Sequence, residues 1–183
     1  MKYSLLILLF FLCAPFIVTS HAQSAKSLQV TQTKASVLGT STLHDWECVS
    51  EKFDIKATGS MESGQVKTVE SLTATIPVKS LKSGKSGMDD NTYKALKESK
   101  NPNIIFELTS PVEVSNGQAE ISGNLTIAGK TQPVKISSKV NGNTFAGSFV
   151  TKMTEFGVDP PKAMMGTIKT GDDITLQFEV TFK

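Results

Sequence analysis

The chain has 183 residues, with 19 basic and 17 acidic side chains and a formal net charge of +2. Every basic residue is lysine, so the chain lacks the bidentate guanidinium groups that commonly bind phosphate or guanine. The lysines are scattered along the sequence rather than clustered. This composition argues against a nucleic-acid partner.

The first 22 residues have the features of a secretory signal peptide. Lys2 supplies the positive start, an apolar run covers residues 5–18, and Ser20 and Ala22 frame a small-x-small cleavage site. The mature chain is therefore expected to begin near Gln23. Residues 23–183 are long enough to bury one hydrophobic core as a single domain. Cys13 lies inside the apolar run and leaves a lipid-anchored form as the alternative.

Cys48 and His44 are the only cysteine and histidine of the predicted mature domain. A single cysteine forms no internal disulfide, and we expect Cys48 to be buried as a small hydrophobic side chain. Four residues along an extended strand span about 13 Å, so the two side chains do not form a nucleophile–base pair unless the chain folds sharply there. The same two residues are too small a ligand set for a metal site. We therefore predict a protein that is not an enzyme, with no catalytic residue, no metal and no cofactor.

Alternation of apolar and polar residues with a period of two predicts a mainly β structure. The clearest example is residues 119–140, in which two alternating arms flank a glycine-containing connection. Residues 49–52 separate two stretches of opposite alternation, which predicts a bulge or a break. In chain order, the predicted elements are a strand from residue 28, a strand through Trp46, a turn at 59–64, a strand at 72–78, a short helix near 88–97, a strand at 104–108, the hairpin 119–140, a strand at 144–151 and a last strand at 174–182.

About eight strands with one apolar face each predict a closed antiparallel sheet. A sheet of this size encloses an interior that side chains fill or that holds one elongated ligand. The alternation by itself leaves both arrangements open.

Several motifs of the sequence resemble the YceI-like family. They are GTSTLHDWECV at 39–49, NPNIIFEL at 101–108, GNLTIAGKTQPV at 123–134 and FGV at 156–158. The resemblance implies an all-β fold, namely an extended eight-stranded antiparallel lipocalin-like barrel with one short helix that caps an end. It also implies a bacterial chain, and hence a periplasmic or secreted location once the signal peptide is cleaved.

The resemblance further implies a ligand and partners. Characterised relatives hold a polyisoprenoid or a similar long-chain lipid in the barrel lumen, so the expected ligand is a polyisoprenoid, an isoprenoid quinone or a fatty-acyl lipid, held for transport or storage. A homodimer and transient contact with a membrane stay open. One stretch departs from the family pattern, because Lys152 and Met153 stand where many members carry an Asn-Arg pair. If that Arg binds an anionic head group in the relatives, the departure favours a neutral or quinone-like ligand here.

We expect ligand contacts from inward-facing aromatic and aliphatic side chains and from two methionines near an opening. A role in an ordinary packed core is the alternative for each of them. His44 is either a head-group contact or a structural residue beside Asp45. The predicted ligand-binding residues are His44, Trp46, Phe53, Phe106, Leu125, Ile127, Phe149, Phe156, Met164, Met165 and Phe178.

A second function stays open at this stage. The domain could be a secreted structural or interaction module whose barrel has a packed interior and no ligand. That alternative predicts inward aromatic rings that interlock without a lumen.

Overall fold

The computed structural model describes residues 25–183, and the side chains of Ala163 and Met164 lie outside that description. The predicted signal peptide at residues 1–22 also lies outside it. A single α-helix, α1 (Ser86–Ala95), occurs in the described part of the chain, together with short 3-10 turns at Val78–Ser80, Met153–Phe156 and Met164–Gly166. The strands are β1 (Lys26–Leu28), β2 (Val30–Ser41), β3 (Trp46–Ser50), β4 (Asp54–Glu62), β5 (Gln65–Pro77), β6 (Asn103–Leu108), β7 (Val112–Glu113), β8 (Gln118–Ile127), β9 (Lys130–Asn141), β10 (Thr144–Lys152), β11 (Lys162–Ala163) and β12 (Ile168–Phe182).

The main sheet curls because its first strand segment joins both of its ends. Its hydrogen-bonded order is β1-β4-β5-β6-β8-β9-β10-β12-β2-β3, and its neighbours pair antiparallel. β1 pairs with β4 near one end of this order, whereas β2 pairs with β12 near the other. Only Gln29 separates β1 from β2 in the sequence. One nearly continuous segment therefore links the two ends, and the sheet forms a lipocalin-like barrel.

The all-β prediction with one short helix is confirmed, and the differences are local. The order contains ten strands rather than about eight, because Gln29 divides the first segment and β3 adds to the outside of β2. The predicted break near residues 49–52 is confirmed, since β3 ends at Ser50 and β4 begins at Asp54. α1 begins and ends two residues earlier than the predicted 88–97.

The predicted turn at 59–64 is wrong for its first four residues. β4 continues to Glu62, and only Ser63 and Gly64 form the turn, both with positive φ. Gly59 looked like a turn residue in the sequence, but it lies at an irregularity of the β4–β5 ladder. A methyl group at Gly59 would lie 2.1 Å from the Thr68 carbonyl oxygen, so the glycine is required by close contact between strands rather than by a turn.

The hairpin of β8 and β9 forms as the sequence predicts, with pairing from Gln118↔Lys139 to Ile127↔Lys130. The connection consists of Ala128 (φ 50°) and Gly129 (φ 82°). Two consecutive residues with positive φ match the twist of adjacent strands. The turn therefore fixes the register that points Leu125 and Ile127 into the barrel, where they are 7% and 6% exposed.

Candidate functional site

The interior of the barrel contains an elongated cavity of about 450 Å³. Inward side chains of β2, β5, β6, β8, β10 and β12 form its wall, and they are overwhelmingly apolar. Two clusters of buried residues lie along it, one with Leu125 and Phe156 and one with Phe145 and Phe182. The volume falls within the range of pockets that hold a small organic ligand, roughly 300–1,000 Å³.

One end of the cavity is closed and apolar. The rings of Phe145 and Phe182 meet edge to face there, with centroids 5.6 Å apart. Two neighbouring turns are joined by one side chain, because the Val66 N–H donates to Asn143 Oδ1 at 3.0 Å and Asn143 Nδ2 donates to the Gly64 carbonyl at 2.9 Å. We call this end of the barrel, where β4 turns into β5 and β9 into β10, the closed end.

Aromatic rings lie against the wall of the cavity, each over a glycine of a neighbouring strand. The absence of a Cβ at these positions leaves room for the ring beside the backbone. A methyl group would approach the ring to 2.3 Å at two of the glycines and to 2.7 Å at the third. Because these rings lie along the wall, the cavity keeps its width. The pairs are Gly39 with Trp46, Gly123 with Phe106, and Gly147 with Phe178.

The opposite end carries most of the polar lining residues, and we call it the mouth. Ser36 and Gln177, which pair across β2 and β12, line the cavity midway along these strands. β2 and β5 run away from the closed end, so the loop after β2, the helix after β5 and the segment before β12 all lie at the mouth. Backbone hydrogen bonds join two of these segments, from Thr42 N to the Lys169 carbonyl at 3.0 Å and from Thr170 N to the Pro161 carbonyl at 3.1 Å. The polar residues that line the cavity near the mouth are Ser41, His44, Lys85, Asn91, Thr92, Lys162 and Thr170.

α1 is anchored at the mouth by Asp89, which is 8% exposed. Asp89 Oδ1 accepts hydrogen bonds from Ser83 N at 2.8 Å and from Ser83 Oγ at 2.6 Å. These donors, the Ser83 hydroxyl first, lower the pKa of the Asp89 carboxyl below its ordinary value, and the Lys82 ammonium 3.6 Å away adds to the shift. The helix is therefore fixed to the preceding loop by a carboxylate that stays ionised.

Cys48 lies in the cavity wall under α1 and is 1% exposed, which confirms the prediction that it is buried. Its Sγ lies 3.8 Å from Thr92 Oγ1. Burial raises the pKa of the thiol above its ordinary value, and an unreactive protonated thiol is the expected state.

Residues 153–158 cover part of the mouth. Met153, Phe156 and Val158 are all buried and line the cavity. The Asp172 carboxylate accepts from Thr154 N at 2.9 Å and from Thr154 Oγ1 at 2.7 Å. These hydrogen bonds lower the pKa of Asp172 and hold the first turn of the segment.

The structure brings nine of the eleven sequence-predicted site residues to the cavity. Met165 is fully exposed instead, and the side chain of Met164 is outside the described part of the structure. Residues on either side of these two methionines line the cavity instead, namely Pro161, Lys162 and Ile168. Ligand contact by any of these side chains stays a prediction. The nine that line the cavity are His44, Trp46, Phe53, Phe106, Leu125, Ile127, Phe149, Phe156 and Phe178.

The sequence-based list of site residues omitted two kinds of lining residue. Phe145, Leu176 and Val180 follow the alternation of their strands and could have been included on that basis. Lys85 and Lys162 carried no such signal, because a lysine in a loop has the pattern of a solvated surface residue.

His44 and Cys48 have separate surroundings. His44 is exposed, and its Nδ1 donates to the Asp45 carbonyl at 2.6 Å, whereas Cys48 contacts Thr92. Among residues 25–183, no group of three or more His, Cys, Asp or Glu side chains comes together as a metal site. No helix within that range is long and apolar enough to cross a membrane.

Together, the fold and the cavity define an extended antiparallel β-barrel with an apolar lumen. The chain belongs to the YceI-like family, whose domain matches residues 20–182. A UPF0312 protein of Pseudomonas aeruginosa strain LESB58 is 38% identical over 73 residues. That alignment covers 34% of this chain and 38% of the relative, so it spans well under half of either protein.

Two solved structures show the same fold. BcnA of Burkholderia cenocepacia has a TM-score of 0.65 and 20% identity, over 81% of this chain and 94% of BcnA. A domain from Saccharophagus degradans, described as polyisoprenoid-binding and implicated in plant cell wall breakdown, has a TM-score of 0.59 and 9% identity, over 86% of this chain and 97% of that one. At these identities, the likeness concerns the fold alone.

Proposed function

We propose that this protein is an exported, non-enzymatic binding protein that holds one long apolar ligand in the barrel lumen, for transport or storage. The observation that carries the proposal is the elongated cavity, whose wall is predominantly apolar and whose polar lining residues lie mostly at the mouth. A polyisoprenoid, an isoprenoid quinone or a fatty-acyl lipid matches this shape. Family membership and the description of the Saccharophagus degradans domain support the same class of ligand.

The energetics favour such a ligand over a compact polar one. Each methylene group moved from water into an apolar site contributes roughly 0.8 kcal/mol, so ten of them contribute roughly 8 kcal/mol. A chain that fills the lumen therefore binds through its tail, with few polar contacts.

Export would follow from the signal-like residues 1–22, and the periplasm is the expected compartment of a family member. Sequencing the N-terminus of the protein purified from the periplasm tests this part. A mature chain that begins near Gln23 supports export, and a chain that retains Met1 in the cytoplasm contradicts it.

Leu125→Trp tests the position of the ligand. Leu125 is 7% exposed and lines the cavity, so the larger ring should fill the lumen and prevent loading. The matched control is Val150→Trp, at a residue that is 70% exposed and does not line the cavity. Native mass spectrometry of each purified protein, followed by solvent extraction, measures the occupancy of bound lipid, and circular dichroism checks the fold.

We expect full occupancy in the control and little in the Leu125 variant. If the Leu125 variant folds and keeps full occupancy, the lumen is not the binding site. If it does not fold, Leu176→Trp at a half-buried lining position repeats the test. A wild-type protein that carries nothing and takes up no polyprenyl, quinone or fatty-acyl probe would favour the interaction module.

A further inference from the structure

The charged side chains that the structure describes in the cavity wall are all lysines. Among the described residues, the wall contains Lys85 and Lys162 but no aspartate or glutamate. An apolar tail alone would need no charge at the mouth. From this asymmetry, and resting on the proposed function, we propose that the ligand carries an anionic head group, a carboxylate or a phosphate, bound at the mouth by Lys85 and Lys162.

The two lysines come from separate segments at the same end of the barrel. Lys85 immediately precedes α1, and Lys162 lies in β11, which pairs with the start of β12. The segment after β2 is joined to that part of β12 through Thr42 and Lys169, and the closed end carries no lining charge. An amphiphile with its tail in the lumen would therefore have its head at the mouth, the end at which both lysines line the cavity.

Two other lysines of the same region are already paired with carboxylates. Lys82 Nζ lies 3.6 Å from Asp89 Oδ2, and Lys152 Nζ lies 2.7 Å from Asp173 Oδ1. Within the described residues, neither Lys85 nor Lys162 forms an ion pair with a carboxylate. Their ammonium groups are consequently available to an anion from outside the protein.

The Asp89 carboxylate of α1 is engaged by its neighbours Ser83 and Lys82 rather than by Lys85 or Lys162. Asp89 is turned toward Ser83 and Lys82 and is absent from the cavity wall. The helix dipole adds partial positive charge at the start of α1, next to Lys85. Asn91 supplies a neutral amide at the same opening. The lining residues at the mouth thus offer an anion two ammonium groups and a neutral amide.

An anionic head group also fits the division of the cavity into an apolar interior and a mouth that carries lysines. A charged group is excluded from an apolar interior unless it is paired, so the head stays at the mouth while the tail enters. Met153, which stands where the family resemblance leads one to expect Arg, is buried in the wall. The expectation of a neutral ligand was based on that position alone. Lys85 and Lys162 supply positive charge from two other segments of the mouth.

The test compares ligands that share a tail and differ in the head. Palmitic acid, methyl palmitate and hexadecyl phosphate are titrated into the delipidated mature protein at neutral pH, below their aggregation limits. Trp46 is the only tryptophan of the chain and lines the cavity, so its fluorescence reports binding. The variant is Lys85→Gln combined with Lys162→Gln. The control is Lys100→Gln combined with Lys139→Gln, two exposed lysines away from the cavity.

We expect the wild type and the control to bind an anionic probe about tenfold more tightly than the ester, which is the effect of two exposed ion pairs. The double variant should lose that preference while its affinity for the ester is unchanged. Added salt should reduce the preference in the wild type, because exposed charges are screened. Preference for the acid or for the phosphate identifies which anion the mouth accepts.

Equal affinity for all three probes in the wild type, or an unchanged preference in the double variant, overturns the inference and leaves the proposed function standing. Failure of every probe, the ester included, to bind the wild type overturns the inference and counts against the proposed function as well.

Discussion

Replacing Gly147 by alanine tests whether the ring of Phe178 lies against the barrel wall. Gly147 on β10 is directly opposite Phe178 on β12. An added methyl group would lie 2.7 Å from Phe178 Cε1 and 3.2 Å from Ile136 Cγ2. Ordinary contact begins at 3.4 Å, so the ring has to move by about 0.7 Å. The open direction for that movement is the lumen.

Two opposing effects determine the stability of this variant. Overpacking of a well-packed interior costs about 1–3 kcal/mol. Alanine has less conformational freedom than glycine in the unfolded chain, which stabilises the folded state by about 0.4–1 kcal/mol. We expect the free energy of unfolding to fall by about 1–2 kcal/mol, which lowers the Tm by about 2–8 °C for a domain of this size. Urea and thermal unfolding, followed by Trp46 fluorescence, measure both quantities.

Gly87→Ala is the matched control. Gly87 lies in α1 and has nothing within 4 Å of the added methyl group, so this variant should gain up to about 1 kcal/mol of stability. Phe178→Leu removes the ring atoms that the Gly147 methyl group would strike. Combined with Gly147→Ala, it should cost less than the sum of the two single changes. Equal stabilisation by the Gly87 and Gly147 substitutions, or strict additivity with Phe178→Leu, would refute the ring contact.

Two further variants probe the ends of the barrel. Asn143→Ala removes both hydrogen bonds at the closed end and leaves the buried Val66 N–H unpaired, so the free energy of unfolding should fall by about 1–3 kcal/mol. Asn141→Ala, at an exposed position, should change it little. Equal losses in the two variants would contradict this account. Hydrogen bonds from Ser83 lower the folded-state pKa of Asp89. The carboxylate therefore contributes its full stabilisation of the fold above the unfolded-state pKa near 3.9, and this stabilisation is lost as the pH falls through the lower folded-state pKa. Asp89→Asn should therefore lower the free energy of unfolding at pH 7 and make it fall less steeply below about pH 4. Urea titrations in which the variant loses stability below pH 4 as steeply as the wild type would exclude this role.

Much of the fold could be predicted from the sequence because alternation is a local signal. The hairpin of β8 and β9 and the inward face of β12 follow from the period of two. The position of α1 was predicted to within two residues from its spacing and charge order. The turn at 59–64 was misplaced because a glycine that allows close contact between strands has the same local signature as a turn glycine.

The candidate site was harder to predict than the strands. Six of the nine positions that reach the cavity lie on strands, where inward direction follows from strand parity. The other three, His44, Phe53 and Phe156, lie between strands. Lys85 precedes α1 and Lys162 lies in the two-residue strand β11, so no periodicity in the sequence indicates the direction of either side chain. Their approach to one opening depends on pairings between segments that are distant in the sequence.

The sequence by itself determined which face of the main strands is apolar, where the hairpin of β8 and β9 turns and that Cys48 is the single cysteine of residues 23–183. Only the tertiary structure decided that β1 and β2 join the two ends of the sheet, that three aromatic rings lie over glycines and that the barrel keeps a cavity of about 450 Å³. The reason is that alternation records on which side a residue lies, whereas volume depends on the curvature of the closed sheet and on which side chains meet across it.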